Sequence, residues 1–166
     1  IREYIVGSHS GSQTSQWRNG GNEFENEWFK PLRMWLSGPN DEAIGVPVSN
    51  IADLSVNIEG EVRSGDPALV VGIALYAEDG QLLFWSCHTD GRESSWPRLE
   101  PGLFCFRVCL PRRYLNEGNY RVEMVGALHF RQWLFEPSGS VPSLILSIQG
   151  GLSDSPYWMA RRPGLI

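Results

Sequence analysis

Long apolar runs and an excess of positive charge are both absent from this sequence. The longest nearly apolar run, ALVVGIALYA at residues 68–77, has ten residues, whereas a membrane-spanning helix needs about twenty. Fourteen Lys and Arg against 19 Asp and Glu give a net charge of −5, so there is no basic field to hold a phosphate backbone or an anionic membrane. We therefore expect no nucleic-acid partner and no direct insertion into a membrane.

Cysteine is scarce, and the usual metal and nucleotide motifs are missing. The three cysteines cannot all pair, and no Asn-x-Ser/Thr glycosylation acceptor occurs; both features favour a reducing cytoplasm. Cys105 and Cys109 would lie about 13 Å apart along one strand, too far to share a zinc ion. There is no G-x-x-x-x-G-K-[ST] loop for nucleotide phosphates. We predict no metal site and no cofactor.

Short segments of alternating polarity predict β-strands separated by turns. Residues 68–77 are apolar on both faces, which is typical of a central strand covered on both sides, and the EDG that follows predicts a hairpin. In YRVEMVGALHF, apolar residues alternate with Arg121 and Glu123, which are expected outside. With 11 prolines and 18 glycines, this pattern predicts an all-β fold: an immunoglobulin-like or jelly-roll β-sandwich of two antiparallel sheets.

The N-terminal segment is predicted to lie outside this sandwich. Residues 7–22, GSHSGSQTSQWRNGGN, offer almost nothing to bury, so residues 1–27 are interpreted as a flexible linker or arm. The sandwich is expected to begin near Trp28 and to occupy residues 28–166. One core is what a chain of 166 residues supports.

The stretch LPRRYLNEGNYRV at residues 110–122 predicts a tyrosine corner between the two sheets. Pro111 ends one strand, and Leu115 is placed to fill the bottom of the core. Gly118 permits a positive φ angle, and the Tyr120 hydroxyl can reach back to the backbone of the loop.

Two segments of the chain share a further pattern: DPALVVGIALYAEDGQLLFWSCHTDG and EPGLFCFRVCLPRRYLNEGNYRVEMVGAL. Together they resemble the C-terminal domain of Wzt, the ATP-binding subunit of ABC transporters that export O-antigen polysaccharides in Gram-negative bacteria. The likeness covers roughly residues 28–150. It is carried by Gly72, the Asp79-Gly80 hairpin, Leu83-Phe84, Thr89 and the corner formed by Leu115, Gly118 and Tyr120.

This resemblance implies a domain without catalytic residues that binds the finished glycan, often at a modified non-reducing end, and couples its recognition to export. The partners it implies are O-antigen polysaccharide, a second copy of the chain in a homodimer, and the ATP-binding and transmembrane parts of the transporter. It places the domain in the cytoplasm at the inner face of the inner membrane, with the ATPase upstream. Family members exchange a C-terminal strand, for which residues 152–166 are the candidate.

Glycan binding requires aromatic faces that lie against the C–H face of a sugar, with polar groups beside them. Two segments supply this mixture: WSCHTDGRESSWPR and HFRQWLFE. Arginine side chains there would also suit a phosphate or another anionic cap. The predicted glycan ligands, with Arg107 on an adjoining outer face, are Trp85, His88, Arg92, Trp96, Arg107, His129, Arg131 and Trp133.

Two other functions stay open from the sequence. The first is an immunoglobulin-like protein–protein interaction module whose tryptophans line a protein interface. The second is an enzyme acting on sugars, since Glu59 and Glu61 could have the spacing of two glycosidase carboxyls, although a solvated outer face is the simpler interpretation. The GSHSG segment has His9 at its centre, so it is not a serine nucleophile elbow.

Overall fold

The computed structural model describes residues 15–150, and this part of the chain is built almost entirely from β-strands. A single 3-10 turn, Glu93–Ser95, interrupts the longest loop. No helix within residues 15–150 is long and apolar enough to cross a membrane. The strands are β1 (Gln16–Arg18), β2 (Phe29–Ser37), β3 (Val48–Ser49), β4 (Leu54–Val62), β5 (Leu69–Ala77), β6 (Leu82–Cys87), β7 (Gly102–Leu110), β8 (Gly118–Leu128), β9 (Gln132–Phe135) and β10 (Ser143–Gln149).

The strands form two sheets that pack face to face, as predicted. Sheet A has the order β1-β2-β4-β7, and sheet B has the order β3-β10-β8-β5-β6, with β9 paired to β8. The pairs are antiparallel except that the short β3 runs parallel to β10. The predicted β-sandwich is confirmed, and β3 adds a parallel edge to it.

Two phenylalanines join the sheets at the centre of the core. Phe29 of β2 and Phe135 of β9 meet edge to face, with ring centroids 6.0 Å apart. Each ring occupies the space above a glycine: a Cβ at Gly60 would lie 2.1 Å from the Phe29 ring, and one at Gly126 would lie 2.4 Å from the Phe135 ring. The glycines therefore make room for the largest core side chains.

Strand β5 is covered on both faces, as its continuous apolar sequence predicted. Its inner residues Ile73 and Leu75 belong to the main core. On the outer face Ala74 and Tyr76 form a second, small cluster with Val125 of β8. The outer face of sheet B is thus partly apolar rather than fully hydrated.

The tyrosine corner is confirmed. The buried Tyr120 hydroxyl donates a hydrogen bond of 2.9 Å to the Asn116 carbonyl. Leu115 is buried in the core, and Gly118 has a φ of +156°.

The N-terminal boundary differs from the prediction. Residues 15–27 are part of the sandwich: β1 pairs with β2, and Trp17 packs on the core with its ring 6.0 Å from that of Phe24. The Asn19 side chain donates to the Pro31 carbonyl at 2.7 Å. This polar segment can join the sheet because Trp17 supplies the apolar contact and the Asn19 side chain donates a hydrogen bond to a backbone carbonyl of β2. Residues 1–14 and 151–166 lie outside the described part, so the proposed exchange of residues 152–166 stays a prediction.

Glu123 was expected on the outside of β8, but its side chain is only 1% exposed. Its carboxylate accepts hydrogen bonds from the Arg121 guanidinium and, at 2.8 Å, from the Ser138 N–H. The Ser138 hydroxyl in turn donates to the Tyr76 hydroxyl at 3.2 Å. The segment after β9 folds over this part of the sheet, which buries the carboxylate and supplies its partners.

Candidate functional site

Two tryptophans from separate segments meet on the outer face of sheet B. Trp85 of β6 lies opposite Ala74 of β5, and Trp133 of β9 lies opposite Ala127 of β8. Their rings are edge to face, with centroids 5.8 Å apart and planes at 86°. Each side chain is 45% exposed, so the pair holds its geometry by mutual packing while it keeps ring surface open to solvent.

A third tryptophan, Trp96, is held in place by the loop after β6. The Asp90 carboxylate accepts the Cys87 N–H at 2.9 Å, which closes the start of the loop. The 3-10 turn follows, and the Trp96 indole N–H donates to the Gly91 carbonyl at 2.8 Å. Because the polar edge of this indole is satisfied within the loop, its 38% exposed ring offers mainly an aromatic face.

The tight turn between β8 and β9 supplies the remaining polar groups. The His129 N–H donates to the Ala68 carbonyl at 2.8 Å, which ties the turn to the loop before β5. The Arg131 guanidinium forms an ion pair with Asp66. This contact lowers the pKa of Asp66, helped by the hydrogen bond from the Ala68 N–H, and it raises the pKa of Arg131. Both side chains are therefore charged at neutral pH, and each is the ion-pair partner of the other.

These elements line three adjoining depressions that share residues, and together we call them the aromatic groove. Its centre is a cleft of about 450 Å³ lined by Pro67, Ala68, Val70, Thr89, Trp96 and His129. His129 also lines an adjoining depression that runs to Trp133. Thr89 and Trp96 line another, which extends to Arg98 and Glu100. The aromatic groove comprises this cleft and its two extensions, with Trp85 beside Trp133.

Six of the eight predicted glycan ligands lie in or beside the aromatic groove: Trp85, His88, Trp96, His129, Arg131 and Trp133. His88 lines the extension towards Arg98, and its ring also reaches the core, 5.2 Å from that of Phe106. Its Nδ1 lies 3.2 Å from both the backbone nitrogen and the carbonyl oxygen of Val71. Burial lowers the pKa of His88, against the opposing effects of the backbone contact with Val71 and of the nearby Asp90. The ring therefore borders both the groove and the core.

The two other predicted arginines take different places. Arg92 precedes the 3-10 turn, and its carbonyl accepts the Ser95 N–H at 2.8 Å, so it helps to shape the Trp96 loop. Arg107 lies on the outer face of sheet A, where its Nε donates to Asn57 at 3.1 Å and its guanidinium pairs with Asp41. Arg107 was expected on a face adjoining the site, but β7 belongs to sheet A, and the outer face of sheet A lies on the opposite side of the sandwich from that of sheet B.

Several groove residues were not predicted as ligands. Val70 and Ala127 pair across β5 and β8 between the aromatic side chains. Phe130, at the tip of the β8–β9 turn, is 98% exposed and has a φ of +58°. The exposure and the left-handed backbone of Phe130 are properties of the folded turn, so the sequence pattern carries no signal for them.

The enzyme alternative draws no support from the position of its two carboxyls. Glu59 and Glu61 lie on the outer face of sheet A, opposite Cys105 and Leu103, and Glu61 is 3.9 Å from Arg63. Both are away from the aromatic groove, in a solvent-facing charged row. Within residues 15–150, no group of His, Cys, Asp and Glu side chains is arranged to hold a metal ion.

Comparison with known proteins identifies a structural neighbour. No family model matches the chain, and no curated protein does. A crystal structure of the C-terminal domain of Wzt is similar in fold, with a TM-score of 0.55 over 93% of this chain and 84% of that one. Sequence identity is 17%. The resemblance drawn from the strand pattern is therefore confirmed at the level of the fold.

Proposed function

We propose that this chain is a non-enzymatic glycan-recognition domain that binds O-antigen polysaccharide for export by an ABC transporter. The observation that carries the proposal is the exposed Trp85–Trp133 pair on the outer face of sheet B. Trp133 lines a depression that shares His129 with the cleft at Trp96. The exposure of large aromatic rings to water is unfavourable, and clustered exposed rings are typical of a surface that a ligand covers.

The aromatic groove has the chemistry that sugars require. Pyranose rings present C–H faces that pack on indole, and their hydroxyls need acceptors and donors at the edge. Here Trp85, Trp96 and Trp133 supply the faces, while Thr89 and His129 stand beside them. Stacking and hydrogen bonding hold a polymer without breaking a bond.

The proposed setting follows from the Wzt-like fold. A domain of this kind would work in the cytoplasm at the inner face of the inner membrane, as a homodimer joined to the ATP-binding and transmembrane parts of the exporter. Recognition of the glycan, including its modified non-reducing end, would then precede transport.

Calorimetric titration of the 166-residue chain with O-polysaccharide from the organism that encodes it tests this function. Trp85→Ala and Trp133→Ala should each weaken binding by roughly 2 kcal/mol, about 30-fold, as expected for a central aromatic contact. The matched control is Trp35→Ala, since Trp35 lies on the outer face of sheet A under the Arg33 guanidinium, 4.3 Å from the ring centre. Absence of binding by the unmodified chain, or equal losses in all three variants, would refute the proposal.

The second candidate is a protein–protein interaction module, which the 98% exposure of Phe130 favours. Aromatic residues at the centre of a surface are typical of protein interfaces as well. The Phe130→Ala variant separates the two candidates: a glycan-binding groove should lose less affinity for O-polysaccharide with this change than with Trp133→Ala, because Phe130 projects from the turn tip.

A further inference from the structure

The charges around the aromatic groove are arranged in a way that bears on which glycans it accepts. The central cleft is lined by Pro67, Ala68, Val70, Thr89, Trp96 and His129, a set without carboxylate, ammonium or guanidinium groups. A ligand seated against Trp96 therefore meets apolar groups, the Thr89 hydroxyl and the His129 imidazole first.

One arginine beside this cleft already has an acidic partner. Arg131 lines the extension that reaches Trp133, and its guanidinium is engaged by Asp66. Asp66 is itself fixed, because its Oδ1 also accepts the Ala68 N–H at 2.9 Å at the start of β5. An anionic cap on a glycan would have to compete with a carboxylate that belongs to the fold.

The other extension has more carboxylates than guanidinium groups. Around Trp96, Glu93 and Glu100 share the lining with Arg98, while the third acidic residue there, Asp66, is the partner of Arg131. The chain as a whole carries a net charge of −5. Carboxylates accept hydrogen bonds from sugar hydroxyls, but they repel phosphate, sulfate and uronate groups.

We infer that the aromatic groove selects an uncharged glycan segment and discriminates against phosphate- or carboxylate-bearing sugars. This inference rests on the proposed function and specifies its ligand class. It replaces the expectation of an anionic cap, because Arg107 lies on the other sheet and Arg131 is paired with Asp66.

A binding panel of immobilised oligosaccharides tests the inference. The probes are neutral hexose and 6-deoxyhexose oligosaccharides, each beside the same oligosaccharide carrying a terminal phosphate or uronic acid. The unmodified chain should retain neutral probes at least about tenfold more tightly, and this affinity should change less than about twofold between 50 and 500 mM NaCl, because no ion pair to the ligand is involved.

Two variants test whether the Asp66–Arg131 ion pair causes the weaker binding of anionic probes. Asp66→Asn preserves an acceptor for the Ala68 N–H but releases Arg131, so it should raise retention of the anionic probes severalfold. Asp66→Asn combined with Arg131→Gln should lose that gain. Equal or tighter binding of anionic probes by the unmodified chain would overturn the inference and leave glycan binding intact, whereas retention of no probe would count against both.

Discussion

Trp85 and Trp133 touch edge to face, with ring centroids 5.8 Å apart, although strands β5 and β8 lie between the strands that carry them. The outer-face residues opposite the two indoles, Ala74 and Ala127, are small and leave room for them. The position of the two rings therefore depends on how the four strands pair. We expect changes in the core packing beneath these strands to alter the Trp85–Trp133 contact.

The first prediction concerns Gly126, which lies under the Phe135 ring. Gly126→Ala would place a Cβ 2.4 Å from that ring, which cannot retreat because Phe29 packs against it. We expect a loss of about 1–3 kcal/mol in the free energy of unfolding, measured by urea denaturation. Gly21→Ala, where no atom lies within 4 Å of the new methyl group, is the control and should stay within about 0.5 kcal/mol. Equal midpoints for the two variants would contradict this packing.

The second prediction concerns the tyrosine corner. Tyr120→Phe removes the donor to the Asn116 carbonyl in a buried setting and should cost about 1 kcal/mol of unfolding free energy. Tyr114→Phe is the matched control, because Tyr114 is an exposed ring in the same connection. Thermal and urea unfolding of both variants measure the difference, and a neutral Tyr120→Phe would show that the hydroxyl has no structural role.

The third prediction is a pH dependence that originates at His88. Burial lowers its pKa in the folded state below the ordinary value of 6.5, so the unfolded chain takes up this proton first as the pH falls. The stabilising contribution is thus present above pH 6.5 and is lost as the pH falls through the lowered pKa. His88→Asn keeps an acceptor for the Val71 N–H and should show a shallower fall in unfolding free energy between pH 7.5 and 5. An unchanged slope would mean that His88 is not the group responsible.

The fourth prediction concerns residues 152–166, which lie outside the described part of the chain. If they exchange between two copies, the chain should sediment as a dimer and a variant that lacks them should sediment as a monomer. Analytical ultracentrifugation at several concentrations distinguishes the two forms. A truncated chain that stays dimeric would remove the exchanged strand from the account.

Local pattern predicted much of this fold because alternation along a strand reports which side chains point inward. It found the buried face of β8 and the doubly covered β5. It missed β1, where one tryptophan in a polar segment is enough for pairing. It also misjudged Glu123, since a loop that folds over a strand leaves no mark in that strand's own sequence.

The candidate site could be predicted as a set of residue types but not as an arrangement. Aromatic residues in two segments indicated a surface, and the structure brings Trp85 and Trp133 together. Arg107 was misplaced because a strand's sequence does not state which sheet it joins. The ion pair between Arg131 and Asp66 forms because the β8–β9 turn meets the loop before β5. The alternation of polar and apolar residues does not predict contacts between loops.

The most direct test of the central claim is an NMR titration of the indole N–H signals, assigned by single Trp→Phe variants, with isolated O-polysaccharide. The account predicts that the signals of Trp85, Trp96 and Trp133 shift or broaden together, while those of Trp17 and Trp28, which pack on the core, and of Trp35 on sheet A stay in place. Shifts confined to Trp17, Trp28 and Trp35, or no shift at a saturating polysaccharide concentration, would contradict it.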